Sequence, residues 1–155
     1  MKRNILRIIV ILIDQISKIL ATNYLPLNKS IKIINNFFYL TYTKNDGAAW
    51  SILSGERYLL IIITIISIYL IIKYTKEYNN LFLSLLYGGI IGNLIDRLIH
   101  GYVIDFLDFK IFNYDYPIFN ISDICIFIGI TLLIIKIVKE EQNGSIKWRY
   151  KHKNR

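Results

Sequence analysis

The sequence predicts an all-α membrane protein: a four-transmembrane-helix bundle with a small extracytoplasmic β-sheet and a short interfacial helix. Three observations point there. Hydrophobic residues make up 54% of the 155 and mean hydropathy is +0.42, too apolar for a soluble domain of this size. The apolar residues, largely Ile and Leu, fall into four blocks. Each approaches the roughly 20 residues a helix needs to cross about 30 Å of hydrocarbon. Finally, the net charge of +8 is carried by Lys and Arg that cluster at the chain ends and flank the blocks. That placement suits anionic lipid headgroups better than nucleic acid, so membrane lipids are expected partners and nucleic acid is not.

The first block, residues 5–24, carries Asp14, Gln15, Ser17 and Lys18. Lys2, Arg3 and Arg7 before it imitate the start of a signal peptide. The apolar core 8–13 is short, however, and Asp-Gln follows it without a small-residue cleavage site. Residues 25–57 alternate in Phe38-Tyr39-Leu40-Thr41-Tyr42-Thr43, a strand pattern, with Asn35-Asn36 as the turn before it. Block two, 58–72, is uncharged. Block three, 79–95, is uncharged up to Asp96. Residues 98–115 mix Gly101, Phe106 and Phe109 with Asp105, Asp108 and Asp115, and are expected to hold a short interfacial helix. Block four, 116–135, has Asp123 as its one charge and contains the lone Cys125, read as a small buried hydrophobe. A membrane domain over 1–138 and a basic cytoplasmic tail over 139–155 result.

Twelve of the nineteen basic residues lie on one side of this arrangement: near the N-terminus, between blocks two and three, and in the tail. The positive-inside rule makes that side cytoplasmic. Both termini are then cytoplasmic, and segments 25–57 and 98–115 face outward.

A carboxylate in a span costs roughly 2.5–3.5 kcal/mol at mid-helix, so each needs a partner, a wet cavity or a task. Given the orientation, the polar residues of blocks one, three and four converge at the external end. Asp14 and Lys18 share a helix face, as do Asn93, Asp96, Arg97 and His100. Gly88 and Gly92 have the spacing that lets a neighbouring helix approach. Asp14 with Lys18, and Asp96 with Arg97, are equally consistent with ion pairs that fix packing. Asp123 is equally consistent with a solvated acid in a first helical turn.

Several chemistries lack their residues. There are two histidines, His100 and His152, and one cysteine, with no H-E-x-x-H, G-x-S-x-G or P-loop. Carboxylate chemistry remains, or none. A proton-relay transport subunit would spread acids through the full membrane depth, and block two has none. A purely structural subunit would not need Asp105 and Asp123 in addition to the internal pairs.

Five short motifs then resemble those of the lipoprotein signal peptidase (signal peptidase II) family. Asp14-Gln15-Ile16-Ser17-Lys18 is similar to its D-Q-x-[ST]-K, and Asn45-Asp46-Gly47-Ala48-Ala49-Trp50 to N-x-G-A-[AS]-F with Trp for Phe. Gly92-Asn93-Leu94-Ile95-Asp96-Arg97 resembles G-N-x-x-D-R, and Gly101-Tyr102-Val103-Ile104-Asp105-Phe106 resembles G-x-V-x-D-F. Phe119-Asn120-Ile121-Ser122-Asp123 resembles F-N-x-A-D with Ser for Ala. The resemblance implies an aspartic endopeptidase of the bacterial cytoplasmic membrane that works as a monomer at the extracytoplasmic face. Its substrate is a prolipoprotein carrying diacylglycerol on a cysteine, cut immediately before that cysteine. Asp105 and Asp123 are implied as the catalytic pair, with no metal or cofactor. Asn45, Asn93 and Asn120 become amide donors, and Arg97, held by Asp96, compensates carboxylate charge. Asp14 and Lys18 support the bundle, and Gly47 marks a close approach or tight turn.

Overall fold

Helix α1 (Lys2–Tyr24) is followed by strands β1 (Ser30–Ile34) and β2 (Phe38–Asn45), helices α2 (Arg57–Thr75) and α3 (Leu81–Ile99), strands β3 (Val103–Ile111) and β4 (Tyr114–Asp115), and helix α4 (Ile121–Gln142). This is a computed structural model, which describes residues 2–48, 50, 52–75, 81–111 and 114–142. The tail from 143 onward, Lys76 and the first residues of the third block lie outside the described residues.

Helix α3 is the hub. It packs on α1, α2 and α4, and 56% of its apolar window is buried against 11% for α2 and for α4. Its glycines explain how. A Cβ on Gly88 would lie 2.7 Å from Val10 of α1, and one on Gly89 would lie 2.5 Å from the Ser122 carbonyl of α4. A Cβ on Gly92 would collide with Ser122 Oγ and the Asp14 carboxylate. The small-residue face therefore brings α1 and α4 against α3 at once. Gly129 of α4 returns the favour to Leu86. Leu83, Leu86 and Tyr87 form the apolar core, with Ile71, Ile90, Ile126 and Leu133 against it.

The outer helix faces stay bare. Leu12, Ile16, Ile62, Ile65, Phe127 and Ile134 are each more than half exposed. Apolar faces on this scale belong in lipid. Helices α2, α3 and α4 are long and apolar enough to cross a membrane. Helix α1, at 23 residues, is long enough as well, but Arg7, Asp14 and Lys18 make its apolar run more charged than those of the other three.

The strands form one antiparallel sheet in the order β1-β2-β3-β4, with the predicted turn at Asn35-Asn36 between the first two. Asn36 takes a left-handed φ of 54°, which asparagine tolerates. The interfacial helix predicted within 98–115 does not form among the described residues there, where β3 occupies Val103–Ile111. Two features favour the strand. Gly101, at φ 88°, ends α3 and redirects the chain, and Val103-Ile104-Asp105-Phe106-Leu107 then pairs along β2. Phe109 anchors the far end, stacked on Phe38 at 4.6 Å and on Phe119 at 5.6 Å.

Helix boundaries also shift from the apolar blocks. Block four starts as a helix at Ile121, because Pro117 lies upstream and Asn120 caps the first turn. It continues to Gln142, beyond the expected domain edge at 138. Cys125 is half-buried, more open than the small core hydrophobe anticipated for it.

Candidate active site

The register of the sheet sets the first half of the site. Asp105 pairs with Thr43, and Val103 with Asn45. Asn45 and Asp105 are therefore diagonal neighbours on one face. The Asn45 amide donates to Asp105 Oδ2 at 2.9 Å, while Asn45 Oδ1 accepts the Gly47 N–H at 3.1 Å.

Backbone bonds bring in the second half. The N–H groups of Phe106 and Leu107 both donate to the Phe119 carbonyl, and Phe119 N–H returns a bond to Leu107. This pins the start of α4 beside Asp105. Asn120 then caps the helix: its Oδ1 accepts the Asp123 N–H at 3.0 Å, and Asp123 Oδ2 accepts the Asn120 N–H at 3.1 Å. The exchange is a capping box made with Asn and Asp. Asn120 Nδ2 still has two hydrogens. One goes to Asp105 Oδ1 at 2.6 Å and the other to Asn93 Oδ1 at 3.2 Å. Asn93 Nδ2 donates to Asp123 Oδ1 at 2.8 Å. All four carboxylate oxygens of Asp105 and Asp123 thus accept an N–H, and neither acid forms an ion pair among the described residues.

Asp105 is 2% exposed. Burial, then the nearby Asp123 charge, push its carboxyl up to about 7, against the pull of the Asn45 and Asn120 hydrogen bonds. It therefore holds a proton well above the ordinary carboxylate range.

A second polar cluster lies behind the first. Lys18 Nζ is 2.9 Å from each of Asp14 Oδ2, Asp96 Oδ2 and Asn93 Oδ1, which uses all three ammonium hydrogens. Asp14 Oδ1 accepts the Ser122 N–H and Asp96 Oδ2 accepts the Ile104 N–H, so the cluster ties α1 to α4 and α3 to β3. The anticipated Asp96–Arg97 pair does not form. Adjacent helical residues point about 100° apart, so Asp96 faces Lys18 while Arg97 donates to the Gly47 carbonyl at 2.9 Å. Gly47 is buried and takes the role of close approach. His100, on the same predicted face, lies outside the site, exposed and stacked on Tyr102.

Two contributors receive no role from the sequence, although Gln15 stands among the polar residues it brings together. Gln15 Nε2 bridges Asp14, Asp96 and the Gly92 carbonyl at 3.1–3.2 Å. Its signal was a second polar residue inside an apolar run. Arg57 donates to the Leu98 carbonyl at 2.7 Å and backs the Gly101 turn that launches β3. No sequence signal marks it.

Among the described residues, no group of three or more His, Cys, Asp or Glu side chains is placed to hold a metal. A cavity of about 510 Å³ opens between α2, α3 and α4. Ile63, Leu70, Ile90, Ile126 and Ile130 line it, and its polar end is Asn93 and Arg97.

The model of the family described as signal peptidase (SPase) II matches residues 6–139. The chain belongs to the signal peptidase II family. That makes it a peptidase. It is similar to the lipoprotein signal peptidase of Staphylococcus epidermidis, 48% identical over 142 residues, covering 88% of each chain. It is 44% identical to that of Halothermothrix orenii over 142 residues, covering 88% of this chain and 95% of the relative. A solved bacterial membrane enzyme, obtained by the in meso method at 2.3 Å, superposes with a TM-score of 0.82 at 39% identity, over 92% of this chain and 90% of that one. All five motifs lie within the span matched by the peptidase family.

Proposed function

We propose that this peptidase is a monomeric, four-span aspartic endopeptidase of the bacterial cytoplasmic membrane. It removes the signal peptide of diacylglyceryl-modified prolipoproteins, cutting immediately before the modified cysteine. One observation carries the mechanism: Asp105 and Asp123, from different elements, are joined through Asn120 in a buried site where their donors are neutral amides.

Two carboxyls so close cannot both ionise easily, and they share one proton. The ionised member takes a proton from water as the oxygen attacks the scissile carbonyl. The protonated member donates to the carbonyl oxygen, giving a neutral tetrahedral diol. Collapse returns one hydroxyl proton to the pair and transfers another from it to the leaving amine. The pair ends with one proton, as it began. Asn45, Asn93 and Asn120 hold the carboxyls and can exchange donors with substrate backbone. Arg97 lies within electrostatic reach of both acids and fixes the Gly47 backbone above them.

The apolar cavity supports an apolar substrate. Its polar end, Asn93, is one hydrogen bond from Asp123. Helix α2 packs chiefly on α3, so the cavity lies beside a lateral path from lipid between α2 and α4. A signal helix or acyl chain can enter there without crossing water.

In this reading α1 is the fourth span. Its charges point into the bundle at Asp14 and Lys18, both at most 1% exposed, while Ile16, Ile19 and Leu20 face lipid. The basic bias places both termini inside and the sheet outside. Residues 1–138 are the peptidase domain and 139–155 the tail, whose first residues continue α4 as far as Gln142. With Cys125→Ala as background, a cysteine at Lys29 should react with an impermeant thiol reagent from outside, and one at Lys139 should not. The reverse pattern would sink the orientation.

The functional test is cleavage by the purified protein in detergent. The diacylglyceryl-modified precursor should yield a new N-terminal cysteine, read by mass spectrometry. The unmodified precursor should be cut far more slowly. A strong chelator should leave turnover intact, because N–H donors already face all four oxygens and repel a cation. Equal cleavage of both precursors would remove the lipid from the specificity.

A further inference from the structure

We propose that Lys18 is a positioning residue for the reaction: its ammonium fixes the orientation of the Asn93 amide, and so makes Asn93 a donor to Asp123. The proposal rests on Asp105 and Asp123 being the catalytic pair.

An amide has an accepting end and a donating end, and its partners decide which way round it sits. Each asparagine at the site has its oxygen engaged by a donor. Asn45 Oδ1 takes the Gly47 N–H and Asn120 Oδ1 takes the Asp123 N–H, both local backbone groups. Among the described residues, Asn93 has no such backbone partner for its oxygen. Its Oδ1 accepts Lys18 Nζ at 2.9 Å and Asn120 Nδ2 at 3.2 Å. Turning the Asn93 amide over would set its NH2 against the ammonium and its oxygen against the Asp123 carboxylate. Both contacts would be repulsive. The charge-assisted bond from Lys18 is the stronger of the two holding it.

The bond is also the direct side-chain link between the rear cluster and the catalytic pair. Lys18 is 1% exposed and reaches no oxygen of Asp105 or Asp123 in an ion pair. The charged groups around Asn93 are Lys18 and Asp14 from α1, Asp96 and Arg97 from α3, Asp105 from β3 and Asp123 from α4. Helix α2 offers none there, since its charges, Arg57 and Lys73, are at its ends.

Lys18→Met alone would strand Asp14 and Asp96. The test therefore pairs it with Asp14→Asn, which keeps the net charge of the cluster and leaves an oxygen for the Ser122 N–H. Turnover of the modified precursor is measured against pH, with and without Asn93→Ala. With Asn93 present, kcat should fall roughly 10–100-fold, the worth of one hydrogen bond to a charged group. KM should hold, and the acid limb of the profile should move to higher pH. With Asn93→Ala, the same pair of substitutions should change kcat less than about twofold, the non-additivity expected of residues acting as one unit. Lys18→Gln in place of Lys18→Met retains a donor and should recover part of the loss. Equal losses in both backgrounds would show that Lys18 acts as a remote charge or through the fold, and would overturn the proposal. So would an unchanged profile in the folded variant. If these variants do not fold, hydrogen exchange of the Asn93 side-chain amide in the unsubstituted protein decides. Exchange as fast as that of the exposed Asn23 would overturn a fixed amide, and strong protection would support it. Retained turnover in Asp105→Asn or Asp123→Asn would instead overturn the catalytic pair, a separate failure.

Discussion

The protein holds two carboxylate pairs at adjoining sites, linked through Lys18 and Asn93, and it treats them in opposite ways. Asp14 and Asp96 are met by a cation, Lys18, with every ammonium hydrogen placed. Asp105 and Asp123 are met by amide N–H groups alone. The first arrangement offsets one of two negative charges with an ammonium where four elements join, and removing Lys18 leaves two buried carboxylates without a cation. The second organises the carboxyls without neutralising them, and one proton stays resident. Asp105 is as deeply buried as Asp14 and Asp96, so burial alone does not mark an active site. The kind of donor does.

The sharpest way to break this comparison is to remove one acid from the second pair. Asp105→Asn and Asp123→Asn should each cut turnover by about 10²–10⁴-fold, the usual worth of general acid–base catalysis, without unfolding the protein. Asparagine keeps the shape and cannot share the proton. Thermal unfolding should also report on the proton. Asp105 titrates at about 7 when folded and near the ordinary 3.8 when unfolded. Between those values the folded protein binds more protons, so stability falls as pH rises through the window and levels off above about 7. Asp105→Asn should flatten that slope and leave the midpoint at neutral pH level or higher, since a cost of ionisation has been removed. Near-normal turnover in either variant would end the assignment.

The first pair should behave in the reverse sense. Asp96→Asn removes one of two carboxylates from Lys18 and weakens the anchor of the Ile104 N–H. A loss of roughly 1.5–3 kcal/mol in unfolding free energy is expected, the worth of a hydrogen bond between charged groups, because Lys18 keeps Asp14 as its counter-ion. Activity should fall no further than the folded fraction does. Full stability would mean that Asp14 alone satisfies Lys18.

Much of this contrast is legible in the sequence, and the reason is periodicity. Asp14 and Lys18, four apart, and Asn93 and Asp96, three apart, read directly as shared helix faces, and the structure places them together. The five motifs locate every residue of the second pair. What the sequence hides is which neighbour each residue chooses. Asp96 and Arg97 are adjacent in the chain and look like partners, yet helical phase separates them, and the true partner of Asp96 is 78 positions away on α1. The strand β3 was hidden for a related reason. Its inward face carries Asp105, and the acids in 98–115 disguised a strand whose pairing with β2 is set by tertiary contact. Helix α1 stands apart from the other three by the charges in its apolar run, and two of those charges, Asp14 and Lys18, are the ones the bundle needs inside.

Gln15 gives the smallest and most discriminating test. It touches both carboxylates of the first pair and the Gly92 carbonyl, and neither member of the second. If the two pairs are separate devices joined through Lys18 and Asn93, Gln15→Ala should cost about 1–2 kcal/mol of stability, the range for a few partly buried hydrogen bonds. It should leave kcat, KM and the pH profile unchanged, because Lys18 keeps all three of its acceptors. A shifted pH profile in this variant, at full occupancy of the folded state, would mean that the rear cluster reaches the catalytic acids by its field and not by one oriented amide. The division between a structural pair and a catalytic pair would then dissolve into a single coupled network of four acids.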